Sequence, residues 1–350
     1  MLLRLRHPDR PTWRASVEAT ARELGLELVP LDASWRFVET RGPAGPEARS
    51  RFEDLTAVAA VLDAADAPEL HVRQGEDHRV AIGQALFGAG QVSIAAGPCA
   101  VEDPERTFEI AEAAAKAGCT LLRGGAYKPR TSPHSFQGLG HRALPILDEA
   151  RRRSGLAVLT EVIDPRDVDI VGQVADAFQV GARNMANSAL LAELGRYGKP
   201  VVLKRGMAAT VREFLLAAEY VLNEGNDQLI LCERGVRSFD KVTRNLLDLG
   251  AVAHLKNATH LPVIVDPSHA AGRADLVLPL ARAGLAAGAD GLLVEVHPEP
   301  IEAHSDGAQA LALEDLRALV EDSARLSAAL DKQLVLHPCA DALTGDVAAS

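Results

Sequence analysis

From residue 92 onward the chain alternates short apolar runs with longer amphipathic stretches. The runs are VSIAAGPC (92–99), TLLRGGAY (120–127), AVLTEVID (157–164), AFQVGARN (177–184), PVVLKRG (200–206), LILCERG (229–235), PVIVDPSH (262–269) and GLLVEVHP (291–298). Each opens on a short apolar run closed by Gly, Pro or charge, as a strand buried on both faces requires. Between them PERTFEIAEAAAKAG, TVREFLLAAEYVLNEG and ADLVLPLARAGLAAG carry apolar residues at helical spacing. Eight strand–helix units over roughly 250 residues predict a closed (β/α)8 barrel. An open doubly wound sheet is the alternative, but no GxGxxG opens the first helix.

The first 74 residues follow another pattern. TWRASVEATARELGL (12–26) and RFEDLTAVAAVLDAA (51–65) read as helices; LELVPL (26–31), WRFVETRG (35–42) and LHVRQ (70–74) read as strands. The order strand, helix, strand, strand, helix, strand predicts a ferredoxin-like α+β domain. HRVAIGQALFGAGQ (78–91) predicts a hairpin around Gly-rich turns. The expected division is therefore 1–74, a small and regulatory domain; 75–91, a hairpin linker; 92–338, the barrel; and 339–350, a tail.

Composition narrows the function classes. Of 350 residues 47% are hydrophobic and 24% charged, with a formal net charge of −11. No basic excess exists to meet nucleic acid or an anionic membrane surface. The opening MLLRLRHPDRPTW lacks the apolar core of a leader, and no run reaches the roughly 18 apolar residues of a span. Cys99, Cys119, Cys232 and Cys339 are too few for a disulfide scaffold. A cytoplasmic protein with reduced thiols is expected.

Barrel enzymes place their chemistry at the C-terminal ends of the strands. Those ends carry Cys99, Arg123, Glu161, Arg183, Lys204, Arg205, Glu233, Arg234, Asp266, His269, Glu295 and His297, with Lys128, Arg130 and Asp306 in the following loops. Arg123, Lys128, Arg130, Arg183, Lys204 and Arg234 would gather on one mouth. Singly each is an ordinary surface charge; together they predict a substrate with more than one anionic group. Cys99, His269, Glu295 and Asp306 come from strands that closure makes neighbours. A thiolate, an imidazole and two carboxylates can share one divalent cation, and the mixed donors suit a catalytic ion better than a structural zinc. A Cys99–His269 nucleophile pair is the competing reading, though it leaves the carboxylates and the cations without a role.

The stretches AGPCAVE, LLRGGAYKPRTSPHSFQGLG, VGARNM, LKRGMAAT, ILCERGVRSFDKVTRN, VDPSHAAGRADLV and VEVHPEP…SDGAQAL together resemble 3-deoxy-D-arabino-heptulosonate 7-phosphate (DAHP) synthases, most closely the type I-beta branch related to 3-deoxy-manno-octulosonate 8-phosphate synthases. The resemblance runs over about residues 90–330, one stretch per strand. It implies condensation of phosphoenolpyruvate with erythrose 4-phosphate, releasing phosphate, as the first step of aromatic amino acid biosynthesis.

Carried to this chain, the resemblance implies metal ligands Cys99, His269, Glu295 and Asp306, with Mn²⁺ foremost and Fe²⁺, Co²⁺ or Zn²⁺ admitted. It implies that Arg123, Lys128, Gly181, Ala182, Arg183, Lys204 and Arg234 hold phosphoenolpyruvate. Lys128, Pro129, Arg130, Thr131 and Asp266 fall to erythrose 4-phosphate, and Lys128 and Glu161 are the candidates for moving protons. KPRT (128–131) favours the four-carbon sugar, because octulosonate synthases resemble KANRSS there. The octulosonate reaction with arabinose 5-phosphate and a catalytically inactive regulatory barrel are the alternatives. His134 departs from the usual SPYSF, without removing a charged group. The resemblance also implies a homotetramer or homodimer, with tyrosine or phenylalanine as an effector at the N-terminal domain.

Overall fold

In a computed structural model of the chain, residues 1–6, 10–30, 35, 37–62, 70, 77–130 and 132–341 are described. The N-terminal segment runs β1 (Leu2–Leu5), α1 (Pro11–Glu23), β2 (Glu27–Pro30), β3 (Phe37–Arg41), α2 (Pro46–Glu53) and β4 (Val58–Leu62). The strands form an antiparallel sheet in the order β2-β3-β1-β4, so the two strand–helix–strand halves interleave as the pattern predicted. Leu3, Val17, Val38, Phe52 and Val58 bury the space between sheet and helices.

One expectation fails here. RFEDLTAVAAVLDAA is not a helix: α2 begins earlier, at Pro46 behind Gly45, and ends at Glu53, and residues 58–62 form the fourth strand. Proline at the first helical position supplies the start signal inside a stretch that reads as loop. The alanines of 57–62 favour helix, but Val58 and Val61 are buried where β4 pairs with β1. Tertiary pairing outweighs intrinsic preference. The strand expected at LHVRQ lies, beyond Leu70, outside the described residues.

Residues 78–91 form the expected hairpin, β5 (Val80–Ile82) with β6 (Ala85–Phe87). Eight parallel strands follow: β7 (Gln91–Gly97), β8 (Leu121–Arg123), β9 (Ala157–Glu161), β10 (Ala177–Val180), β11 (Val201–Lys204), β12 (Leu229–Glu233), β13 (Val263–Val265) and β14 (Gly291–Glu295). Each pairs with its successor, and β14 returns to β7 with Glu295 opposite Gly97, closing the barrel. Helices α3 (Pro104–Ala117), α4 (Leu144–Ser154), α5 (Val168–Gly172), α6 (Ser188–Tyr197), α7 (Val211–Leu222), α8 (Leu249–Ala258), α9 (Pro267–Ala271), α10 (Val277–Ala286) and α11 (Asp315–Ala329) lie between and after the strands. A short β15 (Gln333–Leu334) adds to the start of β7, an addition the apolar pattern did not predict.

Alternation along the strands divides the core in two. Ile94, Leu122, Val158, Phe178, Leu203, Leu231, Val265 and Val294 point outward against the helices. Ala95, Leu121, Leu159, Ala177, Val202, Ile230, Ile264 and Leu293 fill the interior together with Val80, Ile82, Ala85 and Phe87 of the hairpin. The hairpin thus plugs the N-terminal end. The Ser93 hydroxyl accepts from Leu86 N–H and donates to Leu86 C=O, both at 2.9 Å. At position 291 a Cβ would stand 2.8 Å from the Phe87 ring, so glycine makes room for the plug. Burying Phe87 contributes about 1.5–3 kcal/mol. With apolar layers below, Arg123, Glu161, Gln179, Lys204 and Glu295 take the last inward positions of β8, β9, β10, β11 and β14 at the opposite mouth.

Candidate active site

Cys99 is aimed by backbone crowding. A Cβ at Gly97 would meet the Arg123 carbonyl at 1.8 Å, so only glycine lets β7 and β8 approach there. Arg123 Nη1 then donates to the Pro98 carbonyl at 3.0 Å, fixing the turn that carries Cys99. Burial, and secondarily the Glu295 charge, pushes the Cys99 thiol up to about 12; Lys128 pulls the other way.

Opposite stands His269, in the first turn of α9. Asp266 caps that turn, accepting from His269 N–H at 2.9 Å. The Asp266 carboxylate also meets His269 Nδ1 at 2.7 Å and Lys204 Nζ at 2.6 Å. It is fully buried and, despite that, held well below the usual carboxylate range by His269 and Lys204. An ionised carboxylate only accepts, so the His269 proton sits on Nδ1 and Nε2 presents a lone pair. Burial lowers His269 to about 4, against the pull of Asp266 and Glu295, which keeps the ring neutral.

That lone pair faces other acceptors. His269 Nε2 lies 3.2 Å from Glu295 Oε1 and 4.0 Å from Asp306 Oδ2, and Cys99 Sγ lies 3.2 Å from Asp306 Oδ2. One donor atom from each of Cys99, His269, Glu295 and Asp306 falls within 4.8 Å of the others. Glu295 is fully buried; His269, Arg123 and Lys128 outweigh the cost of burial and hold it at about 2. Asp306 is likewise held far below the usual range against burial, chiefly by Lys128 and His269. Two acceptors at 3.2 Å repel unless a cation lies between or beside them. The Lys128 ammonium answers that demand: Nζ is 2.6 Å from Cys99 Sγ, 2.9 Å from Asp306 Oδ2 and 3.3 Å from His269 Nε2. The set of S, N and O donors fits a divalent transition ion with further positions open to substrate.

Two cavities meet at this cluster. The first is lined by Arg123, Lys128, Pro129, Glu161, Gln179, Gly181, Ala182, Arg183, Lys204, Arg234 and His269. Glu161 is buried on its floor, raised by that burial above the ordinary value and steadied by Gln179 Nε2 at 3.0 Å. A side chain at position 181 would collide with it, a Cβ standing 2.1 Å from Glu161 Oε1. Arg234, buried, donates to the His269 carbonyl at 3.3 Å. The second cavity, about 230 Å³, is lined by Lys128, Pro129, Arg130, Ser132, Ser135, Arg183, Arg244, His269 and Asp306. Lys128, Pro129, Arg183 and His269 belong to both.

The strand-end expectations therefore converge on one mouth, with particular differences. Asp266 lies behind His269 and Lys204 and lines neither cavity. Arg205 points away, paired with Glu233 at 2.8 Å and Asp248 at 3.0 Å in the barrel wall. Thr131 lies outside the described residues. Gln179, Arg244, Gln309, Ser132 and Ser135 were not anticipated. Gln179 was reachable by alternation, as an inward position of β10; Arg244 lies in the loop well past the end of β12, where that rule has no reach.

Comparison with known proteins agrees with this geometry. Residues 69–331 match the model of the DAHP synthetase I family. A phospho-2-dehydro-3-deoxyheptonate aldolase of Thermotoga maritima is 49% identical over 282 residues, 80% of this chain and 83% of its own. A 2-dehydro-3-deoxyphosphooctonate aldolase of an Acidovorax species is 36% identical over 65% of this chain and 87% of its own. The crystal structure of the Thermotoga maritima phospho-2-dehydro-3-deoxyheptonate aldolase (DAHP synthase) superposes with a TM-score of 0.74 and 42% identity, covering 95% of this chain and 98% of that one. A truncated form of the Thermotoga maritima enzyme gives 0.69 and 46%, over 74% of this chain and 95% of that one. With residues 69–331 matched by that family's model and a relative 49% identical over 80% of the chain, the chain belongs to the DAHP synthetase I family.

Proposed function

We propose that this barrel condenses phosphoenolpyruvate with erythrose 4-phosphate to give DAHP and inorganic phosphate, the entry reaction of aromatic amino acid biosynthesis. One observation carries the reading: two cation-lined cavities adjoin at a single Cys–His–Glu–Asp cluster. Two anionic substrates could thus meet end to end beside one ion. Arg123, Lys204 and Arg234, with Arg183 at the rim, provide the charges for the phosphate and carboxylate of phosphoenolpyruvate. Gly181 and Ala182 give that cavity a wall without bulk. Lys128, Pro129 and Arg130, with Thr131 following in sequence, form the side assigned to the sugar phosphate.

A divalent ion held by Cys99, His269, Glu295 and Asp306 would supply a Lewis acid for the aldehyde oxygen. Mn²⁺ is the first choice, and the same donors admit Fe²⁺, Co²⁺ or Zn²⁺. The chain's own groups do the remainder. C3 of phosphoenolpyruvate bonds to the aldehyde carbon, water adds at C2, and the C2–O bond to phosphate breaks as the new C2 hydroxyl becomes the ketone and its proton goes to the departing phosphate. The aldehyde oxygen ends as a hydroxyl and needs a proton; the water at C2 must lose one. Lys128, at the junction of the cavities, can donate the first. Glu161, on the floor of the first cavity, can accept the second. Asp266 acts through His269, holding its ring and tautomer. The arginines orient the substrate and stabilise the leaving phosphate.

The test of the metal assignment is direct binding. Cys99→Ser is expected to weaken Mn²⁺ binding to the stripped enzyme by at least roughly ten- to a hundredfold, read by calorimetric titration. An unchanged dissociation constant would remove Cys99 from the ligand set.

A further inference from the structure

Glu295 is the most enclosed of the four donors, and its two oxygens are treated differently. Oε1 takes Arg123 Nη1 at 2.9 Å and faces His269 Nε2. Oε2 takes a single side-chain amide, Gln309 Nε2, at 2.6 Å. Gln309 is buried, in the turn of helix that follows Asp306. Its other end, Oε1, accepts from Arg244 Nη1 at 3.0 Å, and the same guanidinium reaches Asp306 Oδ1 at 3.2 Å. Chemistry fixes the amide's direction. Arginine only donates and an ionised carboxylate only accepts, so only this orientation satisfies both neighbours. Arg244 lines the second cavity.

We propose that Gln309 is a positioning residue for the metal centre: it clamps the Glu295 carboxylate and, through Arg244, links the second cavity to the ligands Glu295 and Asp306. The inference rests on reading the cluster as a metal site. Without the amide, Oε2 loses its side-chain donor in a buried setting and the carboxylate is held at Oε1 alone, by Arg123. An anion bound in the second cavity would draw on the guanidinium that holds the clamp. Metal affinity would thereby respond to sugar-phosphate occupancy.

The experiment is Mn²⁺ titration of metal-stripped full-length enzyme, with thermal melting to monitor folding. Gln309→Met is expected to raise the Mn²⁺ dissociation constant roughly ten- to a hundredfold, the usual cost of losing a ligand's support. Arg244→Met, on a partly exposed side chain, is expected to raise it by about three- to tenfold, since it leaves the amide in place. Because the two act in one chain of contacts, the double variant should lose less than the product of the single losses. With Co²⁺ in place of Mn²⁺, the thiolate charge-transfer band should persist in Gln309→Met, showing that Cys99 still binds. A folded Gln309→Met with a dissociation constant within twofold of wild type overturns the proposal, as does strict additivity in the double variant. If Gln309→Met does not fold, an unchanged constant in Arg244→Met overturns it alone. Failure of the wild type to take up Mn²⁺ would instead refute the metal centre itself.

Discussion

Glu161 is an acid whose surroundings disfavour its charge. Burial raises it above the ordinary glutamate value of 4.5, and Lys128, Lys204 and Gln179 only partly compensate. The folded state therefore holds the Glu161 proton to higher pH than the unfolded chain does. Its contribution to stability is fully present below pH 4.5 and declines as pH rises through the folded value. Glu161→Gln mimics the protonated form. We expect its urea midpoint, measured without metal, to exceed that of wild type at pH 7.5 and to converge with it near pH 4. Phosphate release should fall by about 10²- to 10⁴-fold if Glu161 moves a proton. A variant less stable than wild type at pH 7.5, or fully active, would count against this role. Residues of this kind were legible to different degrees. Cys99, His269 and Glu295 stand at strand ends, where the barrel rule points; Gln309 and Arg244 matter through contacts that only the folded loops create.

The eight barrel strands were readable because buried parallel strands are continuous apolar runs, distinct from the amphipathic helices between them. Residues 51–65 were not, because an alanine-rich run with two valines satisfies a helix as well as a strand. Pairing with β1 decided it. β15 was hidden because two residues carry no periodicity. The N-terminal β2-β3-β1-β4 sheet with its two helices is the element we assign to regulation, with residues 1–74 as its extent. Tyrosine or phenylalanine is the proposed effector, acting on the full chain. Added to a steady-state assay of phosphate release, one of the two should lower the rate reversibly. A rate indifferent to tyrosine, phenylalanine and tryptophan would refute this assignment and leave the sheet a packing element.

At the scale of the molecule, charge and closure act together. The chain carries a net charge of −11, yet its barrel mouth gathers Arg123, Lys128, Arg183, Lys204, Arg234 and Arg244 around two cavities. A total charge argues against general nucleic-acid binding and says nothing of a local pocket; circular pairing of β14 with β7 is what brings Cys99 beside His269, Glu295 and Asp306. Among the described residues no helix is long and apolar enough to cross a membrane. We propose a cytoplasmic setting and a two- or fourfold assembly of identical chains. The choice of acceptor rests on Pro129, in the wall shared by both cavities, and on Arg130, which lines the second. We propose a metal-dependent condensation selective for the four-carbon sugar. It is tested by the initial rate of phosphate release from phosphoenolpyruvate with erythrose 4-phosphate or arabinose 5-phosphate, before and after chelation and re-addition of Mn²⁺. We expect release with erythrose 4-phosphate, loss of it on chelation and recovery with Mn²⁺. Preference for arabinose 5-phosphate, or a rate untouched by the chelator, would contradict it.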